Sequence, residues 1–193
     1  TSKDYGIYLR KSDKNLLTNN TAISSSKDGV YVSLSSGNIL AANNVSYNMK
    51  EGIHLYSAPS NYVAGNVAFK NDDGIKLYNS SKNTIFANTL TSNKKGLYSN
   101  YGSQDNSIYK NSGFNNTECA ICIFASHHNN VTDNIAALGE HGVSLDYGAS
   151  FNLLEGNMAY GARAGISLLF GSYNNTVTDN WIKYNEKAGV WIN

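Results

Sequence analysis

Residues 28–48 read DGVYVSLSSGNILAANNVSYN, and residues 73–93 read DGIKLYNSSKNTIFANTLTSN. Laid over each other they share a glycine, apolar residues in alternation (Val30 and Val32; Ile75 and Leu77) and asparagines five residues apart (Asn38, Asn43 and Asn48; Asn83, Asn88 and Asn93). Alternation over so few residues is the period of a short β-strand with one buried face. Breaks every five residues leave no segment long enough for a stable helix.

The same pattern runs outward in both directions. One column of asparagines holds Asn15, Asn38, Asn61, Asn83, Asn106, Asn129, Asn152 and Asn175, and a second follows five residues later at Asn20, Asn43, Asn66, Asn88, Asn111, Asn134, Asn157 and Asn180. A third is partial: Asn48, Asn71, Asn93, Asn116 and Asn185 keep it, and Ser25, Gly139 and Ala162 do not. Between the first two columns stands an aliphatic residue in every unit, from Leu17 to Val177. A glycine column (Gly6, Gly29, Gly52, Gly74, Gly96, then Ala120, Gly142, Gly165 and Gly189) precedes each first strand.

A unit of 22–24 residues with three short strands and three corners is too short for a propeller blade and too poor in leucine for a leucine-rich repeat. It predicts a parallel β-solenoid, in which each unit is one coil and equivalent residues stack about 4.8 Å apart. The asparagines then have a structural reason. At a corner Asn tolerates the left-handed backbone region, and its amide can bond the amide of the same residue one coil away. A catalytic group is needed once, whereas these recur in every unit.

Composition agrees. The 193 residues include 29 Asn with only 15% charged residues, but 14 Tyr and 41% hydrophobic residues supply a core, which argues against disorder. A net charge of +1 gives no footprint for nucleic acid or an anionic membrane surface, and no apolar run reaches membrane-span length. Thr1 opens the chain without Met or a signal peptide, as in a mature chain or an excised piece.

On these repeats the whole chain resembles the NosD-like right-handed parallel β-helix family, the group often called carbohydrate-binding and sugar-hydrolase β-helices. The resemblance implies right-handed coils, which agrees with the handedness of parallel crossovers. It also implies a periplasmic, secreted or cell-surface setting, such as archaeal surface proteins, and specifies fold better than activity.

Function must come from outward positions, where the repeat varies. The middle of the first strand carries Tyr8, Tyr31, His54, Lys76, Tyr98, Cys122, Ser144, Ser167 and Trp191, and the residue after it adds Tyr56 and Tyr78. Tyr8, Tyr31, Tyr56, Tyr78, Tyr98 and Trp191 are candidates for stacking on sugar rings. Asp28, Glu51 and Asp73 precede glycines on consecutive coils, so three carboxylates stack, as a solvated surface row compensated by Lys27 and Lys50 or as a Ca²⁺ or acid–base site. Asp73 and His141, with Asp28 and Glu51, are the candidate catalytic groups. Asp73 and His141 nevertheless lie three coils apart, roughly 14 Å by coil rise, too far to flank one bond. Cys119 and Cys122 have soft-metal spacing and His141 stacks on Cys119, but strand alternation predicts that the two sulfurs diverge.

The expectation is one all-β domain over residues 1–193, a right-handed β-helix of about eight coils. It is either a segment of a longer chain or a unit that self-associates head to tail through uncapped coil ends. Its expected role is a non-catalytic extracellular or cell-surface scaffold contacting a polysaccharide or cell-surface glycan, without nucleic acid, membrane span or cofactor other than Ca²⁺. The alternative is a domain of a polysaccharide-active enzyme: a periplasmic or secreted lyase, epimerase or glycoside hydrolase.

Overall fold

A computed structural model provides the structure, in which residues 4–193 are described. The chain winds through short strands that assemble into three parallel sheets, of nine, eight and six strands. Each strand pairs with its counterpart one coil away, for example Ile75 with Ile53 and Leu97, in the register the repeat predicts. The solenoid and its coil count are as read from the sequence. The third sheet is shorter because the first coils carry only the bridges Thr21 to Asn44 and Asn44 to Val67 at that position.

The core is a stack of aliphatic side chains, one layer per coil. Val30, Val32, Ile53, Leu55, Ile75 and Leu77 from the first sheet meet Leu40, Val63 and Ile85 from the second, all fully buried. The glycine column serves close approach: a Cβ on Gly74 would lie 2.6 Å from the carbonyl oxygen of Gly96 on the next coil.

The asparagine columns form ladders. Asn38 donates from its backbone N and from Nδ2 to Oδ1 of Asn61, at 2.8 and 3.0 Å. In the second column Asn66 donates both groups to Oδ1 of Asn88 at 2.9 Å, and Nδ2 of Asn88 reaches back to the carbonyl of Val63 at 2.9 Å. Each oxygen thus accepts two bonds, and buried corner groups are satisfied at every level. At two of the three departures from Asn in the third column the neighbour still serves: the backbone N of Ser25 donates to Asn48 Oδ1 at 3.0 Å, and that of Ala162 to Asn185 Oδ1 at 3.1 Å.

The left-handed residue differs from expectation. It is the residue before each ladder Asn, such as Lys82 before Asn83 (φ 59°), Ala87 before Asn88 (φ 52°) and Ser92 before Asn93 (φ 57°). The left-handed residue turns the chain inward, and the Asn that follows aims its amide into the corner.

Candidate functional site

The outer face of the nine-stranded sheet departs from repetition. Its strands reach the sheet through a bend at the glycine column, so the residue before each glycine and the second residue after it emerge on the same side. Asp73 and Lys76 show this: Lys76 Nζ lies 3.4 Å from Asp73 Oδ2 three residues away on the same strand. Two outward columns therefore face each other across adjacent coils.

In those columns the protein buries charge. Asp28, Glu51 and Asp73 are 4%, 6% and 2% exposed, so the three carboxylates do not form the solvated row the sequence suggested. Compensation comes from the facing column instead of Lys27 and Lys50. Lys76 Nζ sits 2.6 Å from Glu51 Oε1 as well as near Asp73, and His54 Nδ1 lies 3.4 Å from Asp28 Oδ2. Lys95, which stacks on Asp73, contributes a second ammonium held 2.8 Å from Glu118 Oε2. Lys27 pairs with Asp4.

Burial and partners set the proton affinities. Burial alone raises Asp28, but hydrogen bonds with His54 and Glu51 and the charge of His54 outweigh it and hold its carboxyl below the ordinary value. Glu51 is raised, by burial and by the neighbouring Asp28 carboxylate, against the pull of Lys76. The two neighbouring carboxyls are thus pushed in opposite directions, Asp28 down and Glu51 up. Burial pushes Asp73 up to about 6 despite Lys76 and Lys95. Burial lowers Lys76, but Glu51 and Asp73 raise it further, so it stays an ammonium. Two buried atoms here lack a hydrogen-bond partner: His54 Nε2 and Asp73 Oδ1. Above Asp28, Glu51 and His54 lies an open groove of about 410 Å³, walled by Tyr31 and Tyr56.

Asp28, Glu51 and His54 can each bring one ligand atom within 4.8 Å of the others, which makes them the group that can hold a metal ion among the described residues. Asp73 is not part of this trio, because the ammonium of Lys76 stands between it and Glu51. One imidazole with two carboxylates suits a borderline transition metal better than Ca²⁺, which takes all-oxygen shells.

The tyrosines stand where the sequence put them, but they stack on each other. Tyr56 and Tyr78 are parallel at 5.0 Å with 8° between planes, Tyr8 lies over Tyr31 at 5.4 Å, and Tyr78 over Tyr101 at 4.5 Å. Inside such a ladder each ring turns its faces to its neighbours and its edge and hydroxyl to solvent. Among the described residues, open faces occur where the ladder breaks. Tyr98 lies beneath Lys95 Nζ at 4.8 Å, and Trp191 beneath Lys187 Nζ at 3.5 Å.

The remaining candidates lie elsewhere on this face. His141 stacks on Cys119 as expected, three coils from Asp73, so the structure does not join it to the carboxylates. Its Nδ1 lies 2.7 Å from Ser167 Oγ, and burial lowers its pKa. The sulfurs of Cys119 and Cys122 do not diverge: they are joined in a disulfide, their Cα atoms 5.9 Å apart because the strand bends at Ala120 in the glycine column. As a disulfide they offer no thiolate to a metal.

His54, Lys76 and Lys95 were not among the expected site residues. The signal lay in columns already aligned: following Asp28, Glu51 and Asp73 one coil further reaches Lys95, and the facing column reads His54 then Lys76.

Fold and face together define a right-handed parallel β-helix whose outer sheet carries a chemically distinct segment. The chain belongs to the NosD family: residues 1–121 match the family described as periplasmic copper-binding protein (NosD), and residues 72–193 match the right handed beta helix region. No curated protein matches the sequence. Among solved structures it is similar to the A-module of the mannuronan C-5 epimerase AlgE4 of Azotobacter vinelandii, with a TM-score of 0.82 at 16% identity, over 98% of this chain and 61% of that one. It is also similar to the periplasmic alginate epimerase AlgG (TM-score 0.77, 19% identity, 98% of this chain and 47% of that chain). An alginate lyase from Paenibacillus sp. aligns with a TM-score of 0.57 at 11% identity, over 92% of this chain and 78% of that one. The chain thus spans only 61% and 47% of the two epimerases, and at these identities the likeness is one of fold. No helix is long and apolar enough to cross a membrane among the described residues.

Proposed function

We propose that this protein engages a polysaccharide outside the cytoplasm, along the outer face of its nine-stranded sheet, with the buried charged row as the working centre. One observation carries the reading. On the outer face of the nine-stranded sheet the chain buries the carboxyls of Asp28, Glu51 and Asp73 beside half-buried His54 and Lys76, and Asp28, Glu51 and His54 line an open groove. Burying so many charges is unfavourable, and perturbed carboxyls under a cleft are the arrangement of acid–base sites. Glu51, raised by burial and Asp28, is the proton donor of the set, and His54, with Nε2 unpartnered, is the acceptor. The chemistry is proton transfer at a bound sugar. By their names, one epimerase of similar fold acts on mannuronan, and the other epimerase and the lyase act on alginate, which supports a uronate-containing substrate. The family's periplasmic name and the disulfide support export to an oxidising compartment.

A second reading, a non-catalytic glycan-binding scaffold, is favoured by the pairing within the row: Lys76 faces both Glu51 and Asp73, and His54 faces Asp28. A panel of uronate and neutral polysaccharides separates the two. Turnover, read as unsaturated or epimerised products and lost in Glu51→Gln and His54→Gln, supports the acid–base centre. Binding without product by the wild type leaves the scaffold, and no binding to any member overturns both.

A further inference from the structure

The aromatic corner column is interrupted at Ala125, and this break has the shape of a site. In the left-handed corner column after the first strand stand Asn79, Tyr101, Ala125, Tyr147 and Phe170, all with positive φ, on successive coils. Tyr101 and Tyr147 are 66% and 60% exposed, and Ala125 between them projects only a methyl group. Tyr101 packs one face on Tyr78, at 4.5 Å, and no ring covers its other face among the described residues. Tyr147 packs on Phe170 at 5.1 Å and leans toward Phe124 at 5.4 Å. Tyr101 and Tyr147 are two coils apart, about 9.6 Å by coil rise. A van der Waals contact of about 3.5–4.0 Å on each side leaves room between them for the thickness of one saturated ring.

The notch encloses about 150 Å³, with Tyr98, Asn100, Phe124 and Ala125 as its floor and wall. That is below the roughly 300 Å³ at which ordinary small-molecule pockets begin, so it suits one ring of a longer ligand. Its lining is mainly apolar, with a specific polar exception. Asn100 is 93% buried (7% exposed), and its Oδ1 has no hydrogen-bond partner. A buried acceptor left unpaired is costly unless a ligand donor reaches it. An apolar slot between aromatic rings with one unsatisfied amide oxygen matches a pyranose, whose C–H faces are apolar and whose rim carries hydroxyl donors.

We propose that the Tyr101–Ala125–Tyr147 notch is a sugar subsite that takes a single hexopyranosyl residue, with Asn100 accepting from one of its hydroxyls. It rests on the polysaccharide reading above and gives it a direction. Tyr98 belongs both to the notch and to the charged centre, where Lys76 Nζ and Lys95 Nζ lie 5.6 and 4.8 Å from its ring. A sugar seated in the notch leads the adjoining residues of its chain toward that centre.

The test fills the notch without unfolding the protein. Ala125→Phe places an aromatic where the same corner column already holds Tyr101, Tyr147 and Phe170, so the backbone accepts it. Hexamannuronate and cellohexaose are titrated calorimetrically into wild type, Ala125→Phe, Tyr101→Ala, Asn100→Leu and His54→Gln, with the melting temperature of each as a folding control. The expected result is binding of at least one hexasaccharide that weakens more than tenfold in Ala125→Phe, about tenfold in Tyr101→Ala and severalfold in Asn100→Leu. Wild-type affinity in Ala125→Phe overturns the notch. If His54→Gln then loses binding, the charged row stands without the notch. If Ala125→Phe loses binding while His54→Gln keeps affinity and activity, the notch stands and the role of the row falls. A wild type that binds neither hexasaccharide overturns the notch as a hexopyranose site.

Discussion

The corners and the outer face of the nine-stranded sheet solve the problem of polar groups in opposite ways. At the corners one answer repeats: the Oδ1 of Asn88 accepts from the backbone and side chain of Asn66, and Asn111 does the same for Asn88. On the sheet face each coil differs, passing from Tyr31 to His54 to Lys76 to Tyr98 at one position. Repetition marks what every coil needs to stack, and departure marks what the molecule needs once. In a solenoid, sites are therefore sought where a column changes character.

The ladder side of this contrast predicts the largest effect. Asn88→Ala leaves the backbone N and Nδ2 of Asn66 and the carbonyl of Val63 unpaired in a buried corner, for an expected loss of about 3–5 kcal/mol by denaturant unfolding. Thr89→Ala, next to it but exposed, should change stability by less than about 0.5 kcal/mol. Equal effects would erase the distinction between ladder and surface. Gly74→Ala should cost about 2–4 kcal/mol, since its Cβ meets the backbone of the next coil and cannot be relieved by a rotamer change.

The face side predicts a pH signature. The carboxyl of Asp73 has a folded pKa of about 6 against an ordinary value of 3.8, so the folded chain binds this proton more tightly than the unfolded one. Its contribution is fully present below about pH 4 and is lost as pH rises through about 6. Between pH 4 and 7 the wild type should therefore lose up to about 3 kcal/mol relative to Asp73→Asn, read from paired unfolding curves. Parallel pH profiles for the two proteins would contradict the burial argument. Lys76→Met should destabilise by about 1–3 kcal/mol at pH 7 and by less at pH 5, where Asp73 is largely protonated. The smallest change is expected for Tyr62→Ser on the outer face of the second sheet, within about 0.5 kcal/mol and without effect on any saccharide binding.

The fold was legible because its cause is periodic. Asn15 to Asn175 and Gly6 to Gly189 announce the coil, and a stack of coils leaves few other ways to bury the aliphatic column. The handedness came from the family likeness and the chirality of parallel crossovers. The site was half legible. Asp28, Glu51 and Asp73 could be aligned from the sequence, but their burial could not, because it depends on the bend at the glycine column that brings His54 and Lys76 over them. The same bend joined Cys119 to Cys122, where simple alternation predicted divergence. Ring orientation was equally hidden: a column of tyrosines reads as a platform, yet stacking turns its faces inward, and the open face appears where Ala125 interrupts the aromatic corner.

The central claim is that function sits on the non-repeating face of the nine-stranded sheet. Residue-resolved NMR shift mapping with hexamannuronate and cellohexaose tests it directly. The account predicts perturbations concentrated at His54, Tyr56, Lys76, Tyr98, Tyr101 and Ala125, with the ladder corners and the outer faces of the other two sheets silent. Perturbations centred on those other sheets, or none with either saccharide, would contradict it.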